Sequence, residues 1–421
     1  MQSMHIGSAA QPDHSGMTVQ GASRMSPLEI RASVSLASIF ALRLLGLFLI
    51  LPVFAVYAQS LDGGSNATLV GVALGIYGLT QGLLQIPYGA ASDRWGRKPV
   101  IAAGLVVFAA GSFIAAMATD IAWTIVGRAI QGAGAISAAV TAFIADSTRD
   151  EHRTKAMALV GGSVALTFAG SLVLAPLLYP TIGVRGLFAL TGVLVVMSIG
   201  VLFWVVPVAK SVAVIADGDS TKKAVFLDGQ LLRLNVGIFV LHTVLMAMFV
   251  VIPVMLVQRG LALSEHWKIY LPTVMLSFAL MAKPLIVAER RGQMRLLFLG
   301  SIMLVLAAQL GFLLMGDRIL WLGLWLLIFF TGFNILEASL PSLVSRIAPA
   351  PAKGLALGIY NTAQALGLFA GGALGGVIVS KWGYEAVFVF AAIVLAGWWL
   401  VALGMRAMPG ATSSGPLPIE L

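Results

Sequence analysis

Cysteine is absent from the sequence, and charged residues are scarce. The lack of cysteine excludes disulfides, thiol chemistry and cysteine-based metal sites. Charged residues make up 10% of the 421 positions, whereas a soluble protein carries about 25%. This is too few charged residues to form a surface that faces water. The composition therefore excludes an ordinary soluble protein.

Several sequence patterns that carry chemistry are also missing. The chain has no Gly-rich nucleotide loop with its lysine, no adjacent nucleophile and base, and no metal-ligand spacing. The His and Met residues of the first 25 positions follow no fixed spacing, so we expect no metal there. We therefore expect no enzyme activity, no cofactor and no metal, and no transport driven by ATP on this chain.

Long apolar runs dominate what is present. Hydrophobic residues make up 59% of the chain, and the mean hydropathy is +0.97. About 20 apolar residues cross a hydrocarbon core of about 30 Å, and backbone groups in lipid must bond within their own helix. The sequence predicts an all-α membrane protein with twelve transmembrane helices. We number these spans 1 to 12 and place them at about 33–58, 67–91, 99–118, 121–146, 154–178, 184–206, 232–257, 265–288, 295–315, 319–345, 353–379 and 384–405.

Positive charge is distributed unevenly between the two sides of these spans. Most of the 26 Lys and Arg fall in the tails and in loops that share a side with them. The loops on the other side hold only Arg185, Arg259, Lys268, Arg318 and Lys381. Because basic loops stay in the cytoplasm, we expect both termini to be cytoplasmic. This placement explains the net charge of +9 without a nucleic-acid partner.

The longest polar interruption divides the spans six and six. The stretch Ser92-Asp93-Arg94-Trp95-Gly96-Arg97 is echoed by Ala288-Glu289-Arg290-Arg291-Gly292-Gln293, about 196 residues later. Such a repeat predicts two pseudo-symmetric halves. The predicted units are a disordered cytoplasmic tail at 1–32, a first half at 33–206, a cytoplasmic linker at 207–231, a second half at 232–405 and a cytoplasmic tail at 406–421.

Ionisable side chains within spans are costly and are therefore candidates for function. The spans contain Arg43, Arg128, His242, Lys283 and Glu337. Lys283 lies close to a span end and can extend to the membrane surface. Glu337 could bind and release a proton, and so could His242. Alternatively, Glu337 pairs permanently with Arg43 or Lys283 and only holds helices together.

Uncharged polar residues in spans 2, 10 and 11 extend this set. Each of them alone is also typical of a hydrogen bond between helices. We expect them to share one substrate and proton pathway with Arg43, Arg128, His242 and Glu337. They are Gln81, Gln85, Asn334, Asn361 and Gln364.

A short charged hinge joins spans 2 and 3, with the sequence Gly89-Ala90-Ala91-Ser92-Asp93-Arg94-Trp95-Gly96-Arg97-Lys98-Pro99. Gly96 permits a positive φ at the turn, and Pro99 suits the first turn of the next helix. Charge content alone also fits a plain cytoplasmic loop. The ordered pattern Gly-x-x-x-Asp-Arg-x-Gly-Arg-Lys is more specific, and it resembles the loop 2–3 motif of the major facilitator superfamily.

Other sequence segments extend the resemblance over residues 33–405. They include Arg128 to Ala135, Arg153-Thr154-Lys155-Ala156-Met157 and Phe333-Asn334-Ile335-Leu336-Glu337-Ala338. Within the superfamily the chain is similar to the drug:proton antiporters, and most like the YajR-type inner-membrane branch. The resemblance implies a cytoplasmic gate in which Asp93 faces the start of span 11 and Asp146 joins Arg97. The implied gate residues are Gly89, Asp93, Arg94, Gly96, Arg97, Lys98 and Asp146.

The implied function is proton-coupled efflux of small amphipathic compounds by alternating access, from a monomer in lipid at the inner membrane. One departure weakens the antiport inference, because the glycine-rich motif of span 5 reads Gly170-Ser171-Leu172-Val173-Leu174-Ala175-Pro176-Leu177 here. A sugar or lysolipid exporter and an uncoupled facilitator remain alternatives. A membrane sensor that transports nothing is a further one, although the short linker and tails offer little surface for signalling.

Overall fold

The structure is a computed structural model that describes residues 24–207, 225–314, 318–349 and 352–406. Within these ranges the chain is helical apart from turns and one isolated bridge between Asp62 and Asp120. Residues 1–23, most of the predicted linker and residues 407–421 lie outside the described residues. The last part of the predicted N-terminal tail is not disordered, because span 1 begins at Pro27 rather than at about residue 33.

The helices follow the predicted spans in order. Span 1 consists of two helices, Pro27–Phe48 and Leu51–Tyr57, and so does span 4, with Ile121–Ala133 and Ser137–Ser147. Spans 2 and 3 are Ala67–Trp95 and Arg97–Met117, and spans 5 and 6 lie within Asp150–Trp204. Spans 7 to 12 are Gly229–Gln258, Trp267–Arg290, Met294–Leu314, Ile319–Ile347, Lys353–Trp382 and Glu385–Leu403. Short 3-10 helices occupy Ala58–Ser60 and Leu263–Glu265.

The number of spans depends on the helix Asp150–Trp204. By length and composition, the described residues contain 11 helices able to cross a membrane, and the helix Asp150–Trp204 has 55 residues. A continuous helix of that length would measure about 80 Å, far more than a hydrocarbon core of about 30 Å. Gly183 interrupts it with φ 62° and ψ 179°. The helix is therefore two spans that meet at Gly183, and the predicted total of twelve is confirmed.

Polar side chains fix where several helices begin. Ser26 Oγ accepts a hydrogen bond from Glu29 N at 3.2 Å, while Glu29 accepts one from Ser26 N at 2.7 Å. This reciprocal pair satisfies two backbone donors at the start of span 1. The side chain of Asn66 caps the start of span 2 by accepting a hydrogen bond from Thr68 N at 2.9 Å. Asp120 and Asp228 cap the starts of spans 4 and 7.

The halves approach each other at one end of the bundle and separate at the other. We call the end that carries Arg97, Arg149 and Arg290 the basic end, and the end that carries Asp62 and Asp120 the far end. Spans 2 and 11, one from each half, run between these ends in opposite directions and pack together.

The glycines of spans 2 and 11 show where the two halves touch. A Cβ added to Gly75 would lie 2.8 Å from Phe369 O, and one added to Gly372 would lie 2.8 Å from Gly75 N. By contrast, a Cβ on Gly354 or Gly358, nearer the basic end, would meet no described atom within 4 Å. The structure is thus closed towards the far end and open towards the basic end.

Candidate functional site

Arg43 of span 1 is completely buried in the first half. Its Nε donates to Gly134 O at 3.0 Å, in the break between the two helices of span 4. The two terminal nitrogens donate to Ser137 Oγ at 3.1 Å and to Gln81 Oε1 at 3.3 Å. The interruption of span 4 therefore supplies acceptors that an unbroken helix would not present.

Arg128 of span 4 is also completely buried. Its Nη1 donates to Gln131 Oε1 at 2.7 Å and lies 3.4 Å from Gly46 O. Nε and Nη2 donate to the carbonyls of Ala73 and Leu74, both at 3.3 Å. Because arginine keeps its charge in proteins, this side chain binds three helices of the first half together permanently.

The ring of Tyr77 lies between these two arginines. The guanidinium carbons of Arg43 and Arg128 are 5.5 Å and 5.0 Å from its centroid. Cation–π contacts of this kind partly replace the missing anion, since neither guanidinium meets a carboxylate among the described residues. Tyr77 was not among the predicted site residues, although its position four residues before Gln81 places both on one helix face.

His242, Gln364 and Glu337 form a second polar cluster, in the other half. His242 Nδ1 lies 3.2 Å from Ile238 O, which can only accept, so Nδ1 is the protonated nitrogen. Nε2 is then an acceptor, and Gln364 Nε2 lies 2.8 Å from it. The same amide nitrogen donates to Glu337 Oε1 at 3.2 Å. One amide group therefore serves a neutral imidazole and a carboxylate at once.

The other oxygen of this carboxylate, Glu337 Oε2, is buried and has no hydrogen-bond partner in the described chain. His242 Nε2 is 3.8 Å away, beyond hydrogen-bond distance. The glutamate side chain is 27% exposed and that of His242 is 6% exposed. An unsatisfied carboxylate oxygen inside the bundle is costly, and protonation removes the charge that causes the cost. Glu337 Oε2 is therefore the candidate for proton binding in this cluster.

Aromatic rings lie beside this cluster and bridge the two halves. The ring of Phe333 is 5.9 Å from that of His242 and 5.9 Å from that of Phe168. Phe168 of span 5 also contacts Phe330 at 6.1 Å and Phe249 at 6.5 Å. The second polar cluster therefore contacts an apolar layer shared by spans 5, 7 and 10.

The remaining predicted pathway residues are dispersed. Asn334 donates to Ser277 Oγ at 2.9 Å, which ties span 10 to span 8. Gln85 is buried, and neither of its side-chain polar atoms has a partner in the described chain. Asn361 is half-buried. Glu337 pairs with neither Arg43 nor Lys283 in this conformation, so the alternative of a permanent lock through those residues has no support here.

The hinge between spans 2 and 3 is organised around Arg97. Its Nε donates to Asp146 at 2.8 Å, and its Nη1 donates to Asp93 at 2.5 Å and to Ser92 Oγ at 2.7 Å. Gly96 has φ +91°, the positive φ that a glycine at this turn permits. A second pair, Arg149 with Glu29, joins the start of span 1 to the loop after span 4 at 3.0 Å. The hydrogen bond to Glu29 raises the pKa of Arg149.

The expected position of Asp93 requires a correction for this conformation. Its side chain is 68% exposed and pairs with Arg97 on its own hinge. The start of span 11 is open around Gly354, and no hydrogen bond joins it to Asp93 among the described residues. The contact fails because the halves are apart at the basic end. Of the other hinge residues, Lys98 donates to Val206 O at 2.6 Å, and Arg94 lies 6.0 Å from the ring of Trp95.

Comparison with known proteins gives one family. A family model described as Major Facilitator Superfamily matches residues 36–372 and 285–420. The chain is 42% identical over 393 residues to the inner membrane transport protein YajR of Escherichia coli, covering 93% of this chain and 86% of that protein. It is 32% identical over 124 residues to the multidrug resistance protein MdtL of Klebsiella pneumoniae, covering 29% of this chain and 30% of that protein.

Solved structures share the fold at low sequence identity. A bacterial homolog of the human lysosomal transporter Spinster, in an inward-facing and occupied conformation, matches with TM-score 0.72 and 12% identity, covering 90% of this chain and 97% of that one. The human organic anion transporter MFSD10 matches with TM-score 0.67 and 19% identity, covering 90% and 100%.

Proposed function

Because the chain belongs to the major facilitator superfamily, it is a membrane transporter rather than an enzyme, and we propose that it exports small amphipathic compounds in exchange for protons. The observation that carries the proposal is the unpaired Oε2 of Glu337 beside His242 and Gln364. This is the one buried carboxylate oxygen without a partner among the described residues.

The coupling follows from charge. An ionised Glu337 attracts a cationic or polar part of a substrate, whereas a protonated one does not, so proton and substrate compete for the same group. Proton entry down the membrane potential yields about 2.3 kcal/mol per 100 mV. At about 1.4 kcal/mol per decade, one proton sustains a gradient of roughly 50-fold for a neutral substrate.

Alternating access supplies the exchange. In our proposal the basic end is cytoplasmic, both termini lie there, the protein acts as a monomer in the inner membrane, and the structure corresponds to the inward-open state. The basic loops support this orientation. When the halves close at the basic end, Asp93 reaches the start of span 11, where the helix dipole favours an anion. The hinge then acts as a latch for the outward-open state.

Everted membrane vesicles test the coupling. With an acidic interior established, we expect ethidium, a cationic amphipathic dye, to enter wild-type vesicles and to release protons from them. Glu337→Gln keeps the shape of the side chain but cannot bind a proton, so its proton release should fall at least about tenfold. Glu385→Gln, at the exposed start of span 12, makes the same chemical change and should behave as wild type.

Two results would count against the proposal. Ethidium uptake with no proton release from wild-type vesicles would indicate an uncoupled facilitator. Equal proton release by the Glu337→Gln variant and wild type would remove Glu337 from the coupling.

A further inference from the structure

A groove opens between spans 8, 9 and 10 of the second half, with a volume of about 380 Å³. Spans 8 and 9 both pack against span 10 and touch one another less, which leaves the space between them. Span 9 packs against spans 8, 10 and 12, all in the second half. The groove therefore faces the surrounding membrane rather than the space between the halves.

The groove exists because a glycine meets no side chain across it. A Cβ added to Gly300 of span 9 would find no described atom within 4 Å. A Cβ added to Gly104, the equivalent glycine of the first half, would lie 2.3 Å from Ile136 Cγ2 and 2.9 Å from the ring of Tyr88. The repeat places Pro284 where the first half has Tyr88. Ile136 and Tyr88 thus fill in the first half a space that is open beside Gly300 in the second half.

The wall of the groove is mostly apolar, and its hydroxyl groups are already hydrogen-bonded. Much of it is formed by Val287, Leu296, Leu297, Leu304 and Ile335. Its two hydroxyl groups are occupied by their own helices, since Ser301 donates to Leu297 O at 2.8 Å and Thr331 to Leu327 O at 2.7 Å. Such a wall favours a hydrocarbon chain, and its hydroxyl groups offer no free donor to a polar ligand.

The mouth of the groove is basic. Gln293 lies in its lining, and the neighbouring Arg290 and Arg291 are exposed. Neither arginine pairs with a carboxylate in the described part of the chain, because Glu289 is bonded to Arg346 at 2.6 Å. Arginine binds phosphate groups well through its fork of donors, and basic groups at a membrane surface attract anionic lipids.

We propose that this groove binds one acyl chain of an anionic glycerophospholipid from the bilayer, with the lipid phosphate on Arg290 and Arg291. The apolar wall selects a hydrocarbon chain, and the uncompensated positive charge selects an anionic headgroup. The site belongs to the second half alone, since Ile136 and Tyr88 fill its counterpart beside Gly104. It is independent of the proton-coupling cluster and does not depend on the proposed export function.

The test uses the full chain, purified in a neutral detergent and unfolded by heat with increasing amounts of defined lipid. We compare phosphatidylglycerol with phosphatidylcholine of the same acyl chains, and take an apparent affinity from the rise in unfolding temperature. For wild type we expect phosphatidylglycerol to bind at least about tenfold more tightly, the order of effect for two basic contacts.

Two variants and two controls locate the site. Gly300→Leu fills the groove where there is room for a side chain, and it should weaken binding of phosphatidylglycerol at least about tenfold. Gly397→Leu makes the same change on an exposed, open face of span 12, and it should bind as wild type does. Arg290→Gln with Arg291→Gln should abolish the preference for the anionic lipid, whereas Arg259→Gln with Arg318→Gln at the far end should keep it.

Several outcomes would overturn the proposal. Equal affinity of wild type for the two lipids would exclude the headgroup contact. Equal binding by the Gly300→Leu and Gly397→Leu variants would place the lipid elsewhere. If the preference for phosphatidylglycerol is unchanged after both Arg290 and Arg291 are replaced, the lipid phosphate binds elsewhere.

Discussion

In the first half, Arg43 and Arg128 direct every guanidinium nitrogen at a carbonyl, hydroxyl or amide oxygen. In the second half, Glu337 Oε2 has no hydrogen-bond partner among the described residues. The arginines cannot lose their charge, and their acceptors are mostly backbone. The glutamate can gain a proton, and it shares one amide with a histidine. The first half is thus fixed by charges that stay, and the unpaired oxygen of Glu337 supports the proposal that the second half carries the reversible protonation.

The largest expected effect is on the stability of the protein. Replacing the fixed arginine, in the variant Arg128→Met, should lower the free energy of unfolding so far that little folded protein remains. The change leaves Gln131 and the carbonyls of Gly46, Ala73 and Leu74 without the donor that joins them, and we expect a cost of about 3 kcal/mol or more. Glu337→Gln, which is isosteric, should cost less than about 1 kcal/mol. Denaturant unfolding of both variants in detergent measures the difference. A stable Arg128→Met variant would show that the first half is not fixed in this way.

The next effect concerns Gln364. Its amide is the only group that bonds both His242 and Glu337 in the described chain, so Gln364→Leu should lower the rate of pH-driven ethidium efflux about tenfold, the value of one hydrogen bond to a charged group. Asn361→Leu on the same helix should have a much smaller effect. Equal rates of efflux for the Gln364→Leu and Asn361→Leu variants would show that the amide of Gln364 takes no part in proton coupling.

A smaller effect is expected where the two halves touch. Gly75→Ala places a methyl group against Phe369 O, at a cost of about 1–3 kcal/mol for overpacking, and should shift the protein towards opening at the far end. Because the chain has no cysteine, Ala67→Cys supplies a single reporter there. Its labelling by a thiol reagent should rise severalfold with Gly75→Ala and stay unchanged with Gly358→Ala, which meets open space. Identical labelling in all three proteins would contradict closure through these glycines.

The smallest change in stability is expected at the hinge. Asp93 is 68% exposed in this conformation, so Asp93→Asn should alter the free energy of unfolding by no more than about 0.5 kcal/mol. Ethidium efflux should nevertheless slow, because the latch acts in the opposite state. Asp146→Asn, at a position where the side chain is 10% exposed, should destabilise the protein more. Undiminished efflux by the Asp93→Asn variant would contradict the latch.

Much of the fold could be predicted from the sequence, because hydrophobic runs, charge placement and Gly96 act locally. The same information predicted which residues are ionisable within spans. The break after Phe48 has a local cause, because Pro52 at the start of the next helix has no backbone N–H to donate to Phe48 O. The break after Ala133 could not be predicted, since no proline lies there and Gly134 adopts a negative φ. These breaks matter because one of them supplies the acceptor for Arg43.

The pairing of the site residues was beyond the sequence for a different reason. Arg43 meets residues of spans 2 and 4, while His242, Glu337 and Gln364 come from spans 7, 10 and 11. Such meetings depend on how distant helices pack, and a carboxylate and an arginine in separate halves looked equally able to pair. The role of Tyr77 was missed because a buried aromatic residue is typical of any helix core.

One measurement tests the central claim most directly, namely that Glu337 carries the proton while the rest of the bundle performs alternating access. Proteoliposomes are loaded with unlabelled dye, and exchange for labelled dye is measured at equal pH on both sides, then compared with dye movement driven by a pH gradient. We predict that the Glu337→Gln variant exchanges dye at near the wild-type rate. Its rate of dye movement driven by the pH gradient should be at least about tenfold lower than that of wild type. Equal loss of both activities, or retention of both, would contradict the account.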